Sequence, residues 1–420
     1  MPMEEIILGR EQSDLKKFGK RGTAYIGKHL VKAGFDYNLT NPVFLDMAQP
    51  HVALIVGKRG SGKSFTMALM AEEVMNLPAD VRDSLSVLIV DTMGIFWSMK
   101  IANDSALLQL REWGVQPKGF PVQNLVPKGF EQVYKEKHLG FDGAFSLQPS
   151  ALSAGDWALT FGIQLTEPEG ILLQRALKKL EGKKYGLENI LKEIEGDKKS
   201  GEKERLSLEN RFYGAENWGI FSDKDLRIED IMKPGSVTIL DVSLMDWAVR
   251  SLFLGFLARE IYSVRISARR EEESALIAGE EKRKVPLTWI MVDEAHNFIG
   301  SERETASTGP FLTLLRQGRQ PGISLVLATQ RPNKLHEDAI AQADLVIAHR
   351  LTAKPDMEAL SGIMQTYLLE DLRKNITDLP KTKGSAVVLD DNSERLFNVQ
   401  IRMRQSWHAG STPSALKQKG

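Results

Sequence analysis

The 420-residue chain contains no cysteine. Disulfide frameworks and cysteine-ligated zinc are thereby excluded, and the composition suits a reducing cytoplasm. An excess of charge is missing too, since Lys plus Arg and Asp plus Glu both number 55. No global cationic field exists to coat nucleic acid, so any contact with DNA must come from local patches. Long apolar runs are absent; stretches such as 252–258 fall far short of a bilayer crossing. The start, Met1-Pro2-Met3-Glu4-Glu5, is acidic and lacks the apolar centre of a signal peptide. These absences lead us to expect a cytoplasmic protein with no membrane partner. The histidines show no metal-ligand spacing, and no internal repeat is visible.

What is present is a phosphate-binding pattern in the right surroundings. Gly57-Lys58-Arg59-Gly60-Ser61-Gly62-Lys63-Ser64 follows the apolar run Val52-Ala53-Leu54-Ile55-Val56 and precedes an amphipathic stretch over 65–75. Strand, G-x-x-x-x-G-K-[ST] and helix in that order make a phosphate loop. Its glycines let successive N–H groups curl around a phosphate at the positive end of the following helix. Lys63 is expected to reach the terminal phosphates and Ser64 to ligate Mg²⁺; residues 57–65, Phe65 included, are the candidate ATP contacts.

The chain is long for one core, so several domains, or one core with a large insertion, are expected. Residues 1–45 read as a short N-terminal module with a strand at 22–27. Its cluster Lys16, Lys17, Lys20, Arg21, Lys28 and Lys32 reads as solvated surface in preference to a nucleic-acid arm. Over 46–127, strand 52–56, helix 63–76 and strand 86–91 alternate, predicting a parallel sheet covered by helices. Residues 128–234 read as a mainly helical insertion, with helices over 169–180 and 186–195 and an exposed, mobile loop at 196–203. Core character resumes over 235–404: strand 236–242, helix 246–267, a charged surface loop over 269–284, strand 286–292, helix 308–318, then strands 323–329, 343–349, 384–390 and 395–403. A tail, 405–420, ends the chain.

Strand 286–292 ends in Asp293-Glu294. A triphosphate hydrolase needs one acid to hold Mg²⁺, and another to orient and polarise the attacking water. Asp293 suits the first task and Glu294 the second. Strand 323–329 ends in Thr329-Gln330, placed either to sense the terminal phosphate or merely to cap the strand. Between them, Leu315-Arg316-Gln317-Gly318-Arg319-Gln320-Pro321-Gly322 runs from a helix end into a turn. Arg319 or Arg316 could protrude from the surface and offer its guanidinium to a neighbour's phosphate, or could pair with ordinary surface acids. His296 receives no role.

Taken in order, these segments resemble the HerA branch of the HerA/FtsK superfamily of ring-forming DNA-pumping ATPases. The likeness is carried by 51–64, 289–296, 314–322 and Leu327-Ala328-Thr329-Gln330-Arg331-Pro332, with softer matches at Asp91-Thr92-Met93-Gly94 and 234–242. It implies an α/β, RecA-like P-loop NTPase core with a mostly parallel sheet and a helical insertion, binding ATP and Mg²⁺ at the interfaces of a homohexamer. Under it, Lys63 and Ser64 bind phosphate and metal, and Asp293 holds the metal. Glu294 is the catalytic acid, Gln330 matches the strand-end glutamine, and Arg319 matches the finger acting in trans. One departure is that only some fifty residues precede the phosphate loop, where the family carries an N-terminal β-barrel that docks nucleases such as NurA.

The resulting expectation is a DNA translocase or helicase acting on double-stranded DNA, with candidate pore segments near Lys100 and after Gly300. Alternatives are a nucleotide-dependent ring scaffold regulating an associated nuclease or other effector in genome defence, and a genome-packaging ATPase. A two-lobed helicase is disfavoured because too few residues follow strand 343–349 for a second motor lobe.

Overall fold

The computed structural model describes residues 4–34, 36–223, 226–280, 284–351, 353–360 and 374–410. Parts of the expected surface loop (281–283) and of the tail (411–420) lie outside the described residues. Thirteen strands are found among the described residues: β1 Ile6–Leu8, β2 Thr23–Ala33, β3 Asp36–Asp46, β4 Val52–Val56, β5 Leu85–Asp91, β6 Gln123–Pro127, β7 Gly143–Phe145, β8 Val237–Asp241, β9 Leu287–Val292, β10 Ile323–Thr329, β11 Leu345–His349, β12 Ser385–Asp390 and β13 Arg395–Ile401. They form one sheet in the order β1-β3-β2-β13-β12-β11-β4-β10-β9-β5-β8-β6-β7.

From β11 to β7 every neighbouring pair is parallel. β12, β13, β2 and β3 continue the sheet antiparallel, and β1 lies parallel on β3. The mostly parallel α/β sheet expected from the alternation of apolar strands and helices is therefore present. Strands before residue 46 are part of this sheet, reaching it through Val399, Gln400 and Ile401 of β13.

Both faces of the central strands are buried, which is why they read as unbroken apolar runs. Ala53 and Ile55 of β4 point into the layer formed by the helix Lys63–Asn76, whereas Leu54 and Val56 point into the other. That second layer holds the helices Trp247–Ile277 and Thr308–Gln317 together with the helical insertion. The insertion has its own aromatic centre, where Trp157 is buried against Phe161, Phe212, Trp218 and Phe221. Gly255 permits the long helix to approach residues 306–307: a Cβ there would lie 2.2 Å from the Ala306 carbonyl oxygen.

Two local expectations are corrected. The helix expected to stop near residue 267 continues to Ile277, through the charged run read as a loop. Arg269 pairs with Glu273 one turn on at 2.9 Å, and the buried Arg265 donates to the Pro321 and Val285 carbonyls, so the charges stabilise the helix. The segment 196–203 is mostly exposed, as expected, but is anchored at its acid. Asp197 is buried, takes a bidentate bond from Arg175 and accepts the backbone N–H groups of Lys199 and Ser200. A 15-residue helix, Glu202–Glu216, follows directly. No helix among the described residues is long and apolar enough to cross a membrane.

Candidate nucleotide site

Parallel strands bring their carboxyl ends to one edge, and register decides what meets there. Thr329 of β10 pairs with Val56 of β4, and Leu327 pairs with Val292 of β9. Gly57, Gln330 and the acids Asp293 and Glu294 are thus gathered from three adjacent strand ends, although Asp293 lies 229 positions beyond Ser64.

The loop has the backbone that an anion cradle requires. Gly60 and Gly62 have φ of +74° and +122°, where an L side chain is strained. A Cβ on Gly57 would lie 2.4 Å from Ser61 Oγ and 2.7 Å from His349 Cβ. Ser61 Oγ is buried and without a hydrogen-bond partner, while Lys58 and Arg59 are exposed at the tip. Lys63, 6% exposed, donates only a long bond of 3.4 Å to the Lys58 carbonyl. Burial lowers its pKa, an effect opposed by Glu294 and Asp293. An ammonium so enclosed and weakly bonded is prepared for an anionic ligand.

Ser64 Oγ donates to Asp293 Oδ2 at 2.6 Å. Burial raises the Asp293 pKa; the Ser64 hydroxyl offsets this in part. The hydroxyl and carboxylate oxygens, already adjacent, match the hard-oxygen donor set that Mg²⁺ prefers, so the residues fit that ion. Glu294 adopts a left-handed backbone, φ 51° and ψ 42°, a strained state that persists at sites where side-chain direction matters. Gln330 donates through Nε2 to Glu294 Oε1. Glu294 Oε2 is buried without a hydrogen-bond partner; His296 Nδ1 stands 3.5 Å away but is bonded to Thr329 Oγ1 at 3.0 Å.

Next along the edge are Asp91 and Asp241, paired in register at the ends of β5 and β8. Asp91 accepts the backbone N–H groups of Met93, Gly94, Ile95 and Phe96 at 2.7–3.1 Å, which shapes the turn beside the site. Burial and the neighbouring Asp241 push its pKa up.

Arg319 is not with these residues. It lies in the turn before β10, at the amino edge of the sheet. Crossing β10 to the site takes six residue steps, about 20 Å at roughly 3.3 Å each. Its side chain is 66% exposed, 4.0 Å from Glu11. The turn is firm: Arg265 donates to the Pro321 carbonyl, and Gly318 and Ile323 close it through backbone bonds. Arg316, at the helix end, pairs with Asp338. Lys100, the candidate pore residue, pairs with Asp142 at 2.6 Å.

One supporting residue was not visible in the sequence. His349, fully buried at the end of β11, lies under the loop, 3.4 Å from where a Gly62 Cβ would sit. Its Nδ1 donates to the Ser385 carbonyl at 3.2 Å, which leaves Nε2 to accept from Thr66 Oγ1 at 3.0 Å. Lys58 N–H, in turn, bonds the Arg350 carbonyl. The signal for this is weak: a single histidine at a strand end.

Sheet order, phosphate loop and paired acids define a P-loop ATPase. A family model described as the central domain of helicase HerA matches residues 25–261, more than half of the chain, and the chain belongs to that family. The DNA double-strand break repair helicase HerA of Saccharolobus solfataricus is 25% identical over 413 residues, covering 97% of this chain and 74% of that protein. A protein of the same name from Sulfurisphaera tokodaii is 22% identical, covering 96% and 74%. The probable HerA of Methanocaldococcus jannaschii is 27% identical, but over 37% of this chain and 33% of its own length.

Solved structures share the fold. VirB4 of Thermoanaerobacter pseudethanolicus superposes with a TM-score of 0.57 at 13% identity, covering 91% of this chain and 96% of that one. The plasmid coupling protein TrwB, in complex with ADP and Mg²⁺, gives 0.52 at 14% identity, covering 97% of each chain.

Proposed function

We propose that this chain is an ATP-hydrolysing motor that works as a homohexameric ring in the cytoplasm and moves double-stranded DNA through its centre, in DNA processing or repair. The observation that carries the reading is the separation within one chain. The phosphate loop and acids occupy the carboxyl edge, whereas Arg319 stands exposed at the other edge on a braced turn. An arginine so placed cannot serve its own site and is available to the site of an adjoining copy. HerA relatives named as DNA double-strand break repair helicases support the choice of DNA as the partner.

The geometry supports the following roles. N–H groups of 59, 60 and 62–64 and the Lys63 ammonium hold the phosphates of ATP. Ser64 and Asp293 hold Mg²⁺, which neutralises phosphate charge when bound. Glu294 orients and polarises the attacking water through Oε2, the oxygen left without a partner, while Gln330 holds Oε1. The neighbour's Arg319 faces the charge that develops on the terminal phosphate. The test is the ATPase rate with and without duplex DNA at several salt concentrations. Stimulation by DNA supports translocation. Slow turnover indifferent to DNA would contradict it and favour a ring scaffold acting on an effector.

A further inference from the structure

After β13 the chain does not leave the domain. Residues 402–410 run along the helix that follows the phosphate loop and are fastened there by two buried carboxylates. Glu72, with no exposed surface, accepts from Arg404 Nε at 2.9 Å, Gln405 N at 3.0 Å, Ser406 N at 3.2 Å and the Ser406 hydroxyl. Glu73 accepts from Arg402 Nη2 at 2.6 Å. On its other side the strap is tied to the segment after β5, where Trp407 N donates to the Ile101 carbonyl and Ser98 Oγ donates to the Trp407 carbonyl.

This anchoring delivers one side chain to the first turn of the phosphate-loop helix. His408 packs edge-on against Phe65, with ring centroids 5.5 Å apart and an interplanar angle of 83°. Arg404 completes the group from below: its guanidinium lies 5.6 Å from the Phe65 centroid, and its Nη1 donates to His408 Nδ1 at 3.2 Å. The bond leaves the ring proton on Nε2. Burial, Arg404 and Lys383 together lower the His408 pKa to about 4, so the imidazole is neutral at ordinary pH. Phe65 and His408 both keep part of their surface exposed.

Phe65 directly follows Ser64. A triphosphate whose terminal end lies among Lys63, Asp293 and Glu294 runs back along the loop, and its nucleoside must leave past the first helical turn. What waits at that turn is an aromatic pair, partly exposed, neutral and held by buried ion pairs. Flat π-faces of this kind bind nucleobases with little dependence on hydrogen-bond pattern.

We propose that Phe65 and His408 form the shelf on which the nucleoside of the bound triphosphate rests, so that the C-terminal strap completes the ligand site that the phosphate loop begins. The ligand class is a nucleoside triphosphate as opposed to an inorganic polyphosphate. Arg404 and Glu72 are positioning residues that hold the shelf, and the proposal rests on the phosphate-loop reading of 57–64.

Calorimetric titration with ATP and, separately, with inorganic tripolyphosphate, both in MgCl₂, distinguishes the two halves of the site. The full chain is compared with Phe65→Ala, His408→Ala and the aromatic replacement His408→Phe. The alanine variants are expected to bind ATP about tenfold more weakly while tripolyphosphate affinity stays within about twofold, since only the base contact is lost. His408→Phe should retain ATP affinity. Unchanged ATP affinity in both alanine variants overturns the proposal, as does equal weakening for both ligands, which would mark the pair as structural. If the unaltered chain binds neither ligand, the phosphate-loop reading itself fails and the shelf with it.

Discussion

Removing the charge of both Arg404 and Glu72 should cost clearly less stability than the two single losses added together. Arg404 and Glu72 are 1% and 0% exposed, with Nε and Oε1 2.9 Å apart. In Arg404→Met the Glu72 anion stays buried, keeping only the Gln405 and Ser406 donors. In Glu72→Gln the guanidinium stays buried, with the Ser406 hydroxyl, the Trp407 carbonyl and His408 as its acceptors. Breaking a buried pair on one side costs about 3–5 kcal/mol, because an uncompensated charge is left in low dielectric. The double variant buries no net charge and retains an amide oxygen for the strap N–H groups, so it should lose clearly less than the sum of the single losses. Urea unfolding of the four proteins, read as shifts in midpoint at constant slope, gives the cycle directly. Additive losses, or a single variant as stable as the parent, would refute the view that this pair fastens the strap as a unit.

Two further outcomes follow from the site. Glu294→Gln should leave ATP affinity intact while lowering kcat by about 10²–10⁴, the usual worth of a positioned base; undiminished turnover in a steady-state assay would remove Glu294 from that role. His349, buried beneath the loop, has its pKa lowered to about 4 from the ordinary 6.5. The unfolded chain therefore takes up a proton between those values that the folded chain refuses, so the histidine's contribution is complete above pH 6.5 and lost as pH falls toward 4. The stability margin of the parent over His349→Asn, measured by urea unfolding, should shrink by about 1.4 kcal/mol per pH unit across that window; a margin constant with pH contradicts the assignment.

Those parts of the molecule whose cause is local were legible in the sequence. Val52-Ala53-Leu54-Ile55-Val56 reads as a buried strand because both its faces are covered, and the glycine spacing of 57–62 has few other uses. Asp293 and Glu294 were visible because a strand end exposes whatever follows it. Elements fixed by distant partners were not legible. His349 matters through Thr66, 283 positions away, and Arg404 through Glu72, 332 positions away; neither residue carries a pattern of its own. The extension of the long helix through residues 269–277 was missed because a charged run was read as solvated loop, whereas its charges pair along the helix. At 196–203 the anchoring of Asp197 depends on Arg175 of the helix Pro168–Leu180, a contact that composition cannot reveal.

The claim at the centre of the account is that hydrolysis needs residues from two copies of the chain. Arg319→Ala retains the phosphate loop, and Lys63→Ala retains the finger; each alone should form an assembly with little ATPase activity. Mixed and reassembled, the two should regain turnover, since some interfaces then pair an intact Lys63 site with an intact Arg319. Full turnover by Arg319→Ala alone, or no recovery in mixtures shown to contain both variants in one ring, would contradict it.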